Sequence, residues 1–334
     1  MALLVAAPDK LRGTATARQA AAAIEAAASA SGFECARRPM ADGGEGFLDV
    51  LGAETRVAQV HGPLGERVAA RWSLLEDGTA LIESAEAAGR PLLADPHGDE
   101  PMLASSYGVG ELLTAALEAG ATKIVVGCGG TATSDGGRGC VEALDAAGVA
   151  IEVPLVAACD VDVALAGAAW TFAAQKGASP AQVRLIAARL EENAAWYAAR
   201  FGVQVADVPG AGAGGGLGGA LIALGASVIS GAQFVAEHVG LALALSGADL
   251  VVTAEGTVDV GTLAGKVVDV VLAARPDLPA LVIAGRLDPR VAAALRDRRE
   301  GAVDVVELSG ALQRRIGTAA AITQSVVRYL GSSR

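Results

Sequence analysis

The chain has 334 residues, 52% of them hydrophobic and 3% aromatic, with a formal net charge of −11. That length allows one large or two medium domains. The acidic balance argues against nucleic acid or an anionic membrane surface as the main partner, but leaves phosphorylated small molecules open, because backbone donors, lysines and metal ions dominate locally.

No uninterrupted apolar run is long enough to span a bilayer, and no basic-then-apolar leader opens the sequence, so a cytosolic (cytoplasmic) protein is expected. In chain order, strand and helix signals alternate, which predicts an α/β fold with mostly parallel strands. Residues 3–7 read as a buried strand, 16–28 as an alanine-rich helix capped by Thr14 or Thr16, 33–38 as a second strand and 46–51 as a short helix. Segments 55–59 and 66–75 alternate polar with apolar residues around Gly62-Pro63-Leu64-Gly65, which predicts an antiparallel ribbon. Strands are expected over 79–83, 123–126 and 154–158, a weak one over 203–208, and helices over 108–117, 141–147, 181–201 and 215–224. The remainder repeats the theme, with strands over 250–253, 281–284 and 303–308 and helices over 266–274, 289–298 and 319–329.

The first two strands and the last three are expected to form a flavodoxin-like doubly wound domain, residues 1–62 and 241–334. A second α/β domain, residues 63–240, would be inserted into it, with the active site in the cleft between them.

Chemistry concentrates in glycine-rich turns. Gly127-Cys128-Gly129-Gly130-Thr131-Ala132-Thr133-Ser134-Asp135-Gly136-Gly137 follows a strand-like run, and five glycines in eleven positions let backbone N–H groups approach anionic oxygens. Its competing reading is a tight strand-to-helix turn. Asp42-Gly43-Gly44-Glu45-Gly46, the run from Gly210 to Gly219, Glu255-Gly256-Thr257-Val258-Asp259 and Gly261-Thr262-Leu263-Ala264-Gly265-Lys266 have the same character. The four cysteines form no CxxC pair and the three histidines lie away from these turns, so buried reduced thiols are expected and no catalytic histidine.

Taken in order, these motifs resemble the glycerate kinase family, the bacterial type that is not a P-loop kinase. The resemblance spans almost the whole chain. It includes Ala7-Pro8-Asp9-Lys10-Leu11-Arg12-Gly13-Thr14, Pro39 through Gly46, Ser105-Ser106-Tyr107-Gly108-Val109-Gly110-Glu111-Leu112, Gly127 through Gly137, Ala158-Cys159-Asp160-Val161-Asp162 and Gln175-Lys176-Gly177-Ala178. The series closes with Gly210 through Gly219, Glu255 through Asp259 and Gly265-Lys266. Three positions depart from it: Arg12 stands where many relatives carry Lys, Val163-Ala164-Leu165 where the usual continuation is Asn-Pro-Leu, and Gly261 where Gln is frequent.

The resemblance implies Mg²⁺-dependent transfer of the ATP γ-phosphoryl group to D-glycerate, with 2-phosphoglycerate the usual product. Partners are then ATP and a small hydroxy acid, with no nucleic acid and no membrane, and a second copy of the chain as the protein partner considered. Such chemistry needs positioning and charge neutralisation. Asp160 is the expected base, because it follows an apolar strand, with Asp42 as runner-up. Arg12 completes the catalytic set as a binder of carboxylate or phosphate, and substrate contacts are expected from Lys10, Arg12, Asp42, Ser105 and Ser106. Either serine has the alternative role of capping the helix near Gly108. Phosphate binding falls to Gly129, Gly130, Thr131, Thr133, Lys176, Gly214, Gly215, Gly216 and Lys266, and the metal to Asp135 and Glu255. Close helix packing is the other reading of the 210–219 glycines, and a solvated surface position that of Lys266.

Three other functions were weighed. An NAD-dependent dehydrogenase lacks the acid that should follow its glycine fingerprint by about 20 residues. A non-catalytic sensor would have lost the acids. A kinase of a different small hydroxy acid is left open by Arg12 and by the short 160–175 segment.

Overall fold

The computed structural model describes residues 2–52, 54–93, 100–159, 161–297 and 301–332. In chain order its strands are β1 (Leu3–Ala6), β2 (Glu34–Arg37), β3 (Glu54–His61), β4 (Arg67–Leu74), β5 (Thr79–Glu83) and β6 (Lys123–Gly127). Then come β7 (Leu155–Cys159), β8 (Ser227–Ser230), β9 (Leu250–Val258), β10 (Ala280–Leu287) and β11 (Val303–Glu307). The principal helices are α1 (Ala17–Ala30), α2 (Tyr107–Glu118), α3 (Arg138–Ala147), α4 (Pro180–Phe201), α5 (Ala213–Ala223), α6 (Val267–Ala274) and α7 (Thr318–Ser332).

The chain separates into two compact units. One comprises Met1–Asp42, Asp49–Leu51 and Ala232–Arg334, the other Gly43–Leu48 and Gly52–Gly231. The domain expectation is corrected at both joints. Residues 54–61 pair with β4 and so belong to the second unit's sheet, and the later joint falls after Gly231 rather than near 240.

The first unit holds a five-stranded parallel sheet in the order β11-β10-β9-β1-β2. Counted within the unit, this is the flavodoxin-like order 2-1-3-4-5. Its strands are short apolar runs, as a sheet covered on both faces requires. Leu4, Val252, Leu281 and Ile283 pack with Ala20, Ile24, Ala27 and Ala28 of α1 and with Ile322 and Val326 of α7. Thr16 caps α1 and forms a capping box with Gln19, while Thr14 donates instead to the carbonyl of Leu11. Strands β1 and β9 are neighbours at the point where the strand order reverses, which makes their carboxyl ends the natural ligand position of such a sheet.

The second unit holds a six-stranded mixed sheet, β3-β4-β5-β6-β7-β8. β3, β4 and β5 run antiparallel, and β5 through β8 are parallel. Val109, Leu112 and Leu113 of α2 and Leu217 and Leu221 of α5 join its core. Helix α4 starts at a Ser179–Gln182 capping box with Pro180 in its first turn, and buries Val183, Ile186, Leu190 and Tyr197. Residues 203–208 form no strand, and β8 had no clear sequence signal because only its two middle residues are partly buried.

Backbone packs directly on backbone in this unit. The N–H of Gly129 donates to the carbonyl of Gly43 at 3.1 Å. A Cβ on Gly129 would stand 2.7 Å from Gly44 Cα, and one on Gly43 2.7 Å from the carbonyl oxygen of Ala158. Neither gap holds a methyl group. Gly129→Ala is therefore expected to lower stability by about 2 kcal/mol or more through overpacking against backbone that cannot move aside. Gly247→Ala, where a Cβ would meet nothing within 4 Å, is the neutral control. Thermal melts of the two variants check this.

Candidate active site

In the first unit, functional side chains gather where β1 and β9 end. After β1 the chain continues beside β9, with the Asp9 N–H donating to Ala254 O at 2.8 Å. This sets Asp9 and Lys10 at the head of the strand. The ammonium of Lys10 lies 3.2 Å from Asp42 Oδ1 and 3.5 Å from Asp9 Oδ1, with all three side chains largely buried. Burial works against the charge of Lys10, but Asp42 and Asp9 outweigh it and hold the ammonium above the ordinary lysine range. Asp9 shares that lysine with Asp42. Burial first, and Asp42 beside it, push its carboxyl up to about 7 in spite of Lys10.

β9 runs five residues past its expected end and carries Glu255 within it. Thr262 is fully buried, donates to Glu255 Oε2 at 2.8 Å and accepts from the Asp259 N–H at 3.0 Å. Lys266 Nζ stands 3.9 Å from Glu255 Oε1. Burial drives Glu255 up to about 7; Thr262 and Lys266 oppose the shift, and Asp9 and Asp42 add to it. Arg12 is exposed on the turn between Leu11 and Ala15, and its charge is felt by Lys10.

These groups are hard oxygen donors and are under-neutralised, which suits Mg²⁺. Among the described residues no three Asp, Glu, His or Cys side chains close into a ready cage.

The second unit brings together Thr131, Thr133, Lys176 and Gly214–Gly216. The three glycines are successive left-handed residues at φ 62°, 69° and 99°. The hydroxyl of Thr133 donates to Gly214 O at 3.1 Å, and the Gly136 N–H to Gly215 O at 3.1 Å. Lys176 is 8% exposed and donates to Thr133 O at 2.6 Å, with Thr131 Oγ at 3.5 Å. Burial lowers its pKa to about 8; Asp135 works against that shift and Arg90 adds to it.

Several expected site residues are engaged within the protein. Asp135, expected at the metal, is held by four protein donors. Its Oδ2 accepts from the Ser106 N–H (2.8 Å), Ser106 Oγ (2.7 Å) and the Gly139 N–H (3.2 Å), and its Oδ1 from the Gly137 N–H (3.1 Å). Such a carboxylate has little left to offer an ion and instead knots the loop to the start of α3. Ser106 is fully buried in that knot, where its Oγ also accepts from the Cys140 N–H, and is withdrawn from substrate binding. Ser105 accepts from the Tyr107 N–H at 3.2 Å, while Ser106 stands at the N-cap position without a side-chain cap bond. The Gly129 N–H donates to Gly43 O and the Thr133 hydroxyl to Gly214 O, so both donors are committed within the protein. Asp160 lies outside the described residues. Gly130 takes φ +78° in the same turn as Gly129. Sequence reasoning missed Asp9 and Thr262 as functional residues. The signal for Asp9 was an acid beside a lysine immediately after a buried strand.

A doubly wound sheet with acids at its switch point, and a second unit with a buried lysine against a left-handed glycine turn, define an α/β enzyme built for anionic small molecules. Comparison with known proteins makes the class specific. The profile described as the glycerate kinase family matches residues 4–152 and 147–332. A glycerate 2-kinase of Escherichia coli is 38% identical over 312 residues, covering 79% of each chain, and a glycerate kinase of Halalkalibacterium halodurans is 37% identical with 86% of each covered. An uncharacterized protein of Mycobacterium bovis is 40% identical over all of this chain and 92% of its own. A crystal structure of a protein assigned as glycerate kinase 2 from Salmonella typhimurium LT2 superposes with a TM-score of 0.73 at 29% identity, covering 100% of this chain and 98% of that one. The chain belongs to the glycerate kinase family, and it is an enzyme of the kinase class.

Two outcomes follow. Asp9 holds its proton more tightly folded than unfolded, so stability falls as pH rises from 3.8 through about 7. Asp9→Asn removes that penalty, and its melting temperature should gain a few kelvin on the parent between pH 5 and pH 8.5. A gain that does not change with pH would reject the buried carboxyl. Asp135→Asn turns an amide NH₂ toward backbone donors and should cost about 2–4 kcal/mol, while Mg²⁺ affinity of the folded protein is unchanged by calorimetry.

Proposed function

We propose that the enzyme transfers the γ-phosphoryl group of ATP to the 2-hydroxyl of D-glycerate in a Mg²⁺-dependent reaction that yields 2-phosphoglycerate. The observation that carries this reading is the Asp9–Lys10–Asp42 cluster at the β1/β9 switch point, in a chain 38% identical to a glycerate 2-kinase.

Phosphoryl transfer asks for position and charge more than for covalent help. Lys10 supplies a fixed positive charge for the substrate carboxylate, with Arg12 on the adjacent turn as a second, bidentate cation. The hydroxyl proton needs an acceptor close to its neutral working range. Asp160 and Asp42 are the two proposed acceptors, and Asp42 is the one whose surroundings are described. Its Oδ1 accepts from the Lys10 ammonium at 3.2 Å. Asp9, the partner carboxylate, takes up or releases a proton near neutrality without leaving the cluster. Mg²⁺ held through Glu255 would neutralise the phosphate oxygens, and Lys266 adds positive charge to the same corner. In the second unit, Thr131, Lys176 and the Gly214–Gly216 turn are the proposed phosphate contacts.

Another hydroxy acid is the second reading, favoured by the planar fork that Arg12 presents in its exposed turn. An ADP-release assay with MgATP and a panel of hydroxy acids tests both, with phosphorus NMR of the product. Best turnover with D-glycerate and a phosphorus coupling to H2 is expected. A better acceptor than glycerate would keep the kinase and replace its substrate, and no turnover with any acceptor would reject the reading. Lys10→Met should cut kcat/KM for the acid at least about a hundredfold, in line with loss of a charge-assisted contact in a dry site. Protonation of Asp9 and Glu255 should produce an acid limb in the rate near pH 7, with activity falling below it.

A further inference from the structure

Lys176 has a charge that its surroundings do not answer. Among the described residues no carboxylate lies within ion-pair distance of its ammonium, which has one tight acceptor, Thr133 O at 2.6 Å, and one distant one, Thr131 Oγ at 3.5 Å. Leaving a buried ammonium unpaired is costly, and folds avoid it unless something else supplies the counter-charge. Asp135, the acid nearest in effect, already accepts four hydrogen bonds from elsewhere. The chain adds a second cation instead. Arg90 donates from its guanidinium to Gln175 O at 2.8 Å, one residue before the lysine, and its charge bears on Lys176. Gly215 presses on this point from the other side, where a Cβ would stand 2.9 Å from Lys176 Nζ. A side chain at that position would crowd the ammonium.

We infer that Lys176 and Arg90 form a two-cation site for the phosphate oxygens of a polyphosphate, that the site binds this anion without needing a metal, and that binding draws a proton onto Lys176 in mildly alkaline solution. The inference deepens the nucleotide half of the proposed function and rests on that reading only for the identity of the natural ligand. Its chemistry is simple linkage. The lysine is lowered by burial to about 8, and a phosphate oxygen beside it favours the charged form. Above that pH part of the population must take up a proton to bind, and affinity declines as pH rises, approaching about tenfold per unit. The charged groups facing Lys176 are Asp135 on the 131–137 loop and Arg90 after β5.

Calorimetry of the full chain with inorganic tripolyphosphate and chelator, in buffers of different ionisation enthalpy at pH 7 and pH 8.8, reads both claims. Expected are binding to the parent and, at pH 8.8 but not at pH 7, a proton uptake in excess of that of Lys176→Arg, whose binding reports only the titration of tripolyphosphate itself. Lys176→Met should weaken binding at least about thirtyfold and lose the excess. Lys176→Arg should bind without the excess uptake, because guanidinium does not titrate there. Arg90→Gln should weaken binding several-fold with the fold unchanged. Should Lys176→Met fail to fold, Lys176→Arg and the parent's proton uptake decide. Parent binding with the same proton balance as Lys176→Arg at pH 8.8, or a Lys176→Met protein that binds like the parent, overturns the inference. If tripolyphosphate behaves as stated but no hydroxy acid is phosphorylated, the site stands and the proposed reaction falls. If glycerate is turned over with an unchanged KM for ATP in Lys176→Met, the reaction stands and the site falls.

Discussion

Backbone lying against backbone, with no side chain between, is the constraint on which the second unit depends. Gly43 and Gly44 meet Gly127 and Gly129, and Gly214, Gly215 and Gly216 meet the stretch from Cys128 to Gly136. Each crossing closes a gap too small for a methyl group, and the buried polar backbone is satisfied by loop-to-loop hydrogen bonds such as Gly129 N–H to Gly43 O and Gly136 N–H to Gly215 O. The tight 131–137 loop, the Asp135 knot and the start of α3 follow from those crossings. The same glycines that suggest phosphate cradles are thus first of all packing elements, and what remains for a ligand is chiefly Lys176 and the groups around it.

The first unit is organised by charge. Asp9, Asp42 and Glu255 face two ammonium groups, Lys10 and Lys266, in a largely buried corner. Burial above all, with the repulsion of three acids against two bases added to it, makes two of the acids hold their protons to about 7. A site that binds an acidic substrate with a metal–phosphate complex is served by such an excess of acids, since the incoming cation settles it. Thr262 is the small but rigid part of this arrangement, fixing Glu255 by one hydrogen bond and the turn at Asp259 by another.

The departures from the family pattern also have a local reading. Gly212 donates to Val163 O at 2.8 Å, and a Cβ on it would collide with the carbonyls of Val163 and Ala164. The Val163-Ala164-Leu165 segment therefore seats the glycine-rich run by its backbone, and Leu165 enters the core beside α4. Gly261 donates to Asp259 Oδ1 at 2.9 Å, and no side chain stands between that carboxylate and Lys266. Nothing in the structure explains why Arg12 replaces a lysine, because its guanidinium is exposed.

Much of the fold was legible in the sequence because its signals are local. Apolar runs such as Leu250-Val251-Val252 mark buried parallel strands, the alanine-rich run after Thr16 marks α1, and the amphipathic run over 181–201 marks α4. The ordered glycine motifs carried the family. Edge strand β8, the joints between units and the length of β9 were not legible, since each is set by pairing with residues far away in the chain. Which acids are free was decided only in three dimensions. Asp135 looks like a ligand in sequence and is consumed by four donors, whereas Asp9 looks like part of a turn and is buried against one shared lysine. The sequence determined the local elements, the glycine positions and the inventory of acids and cations. Tertiary structure decided which of them keep an unspent charge, because desolvation and hydrogen-bond saturation depend on neighbours that sequence spacing does not bring together.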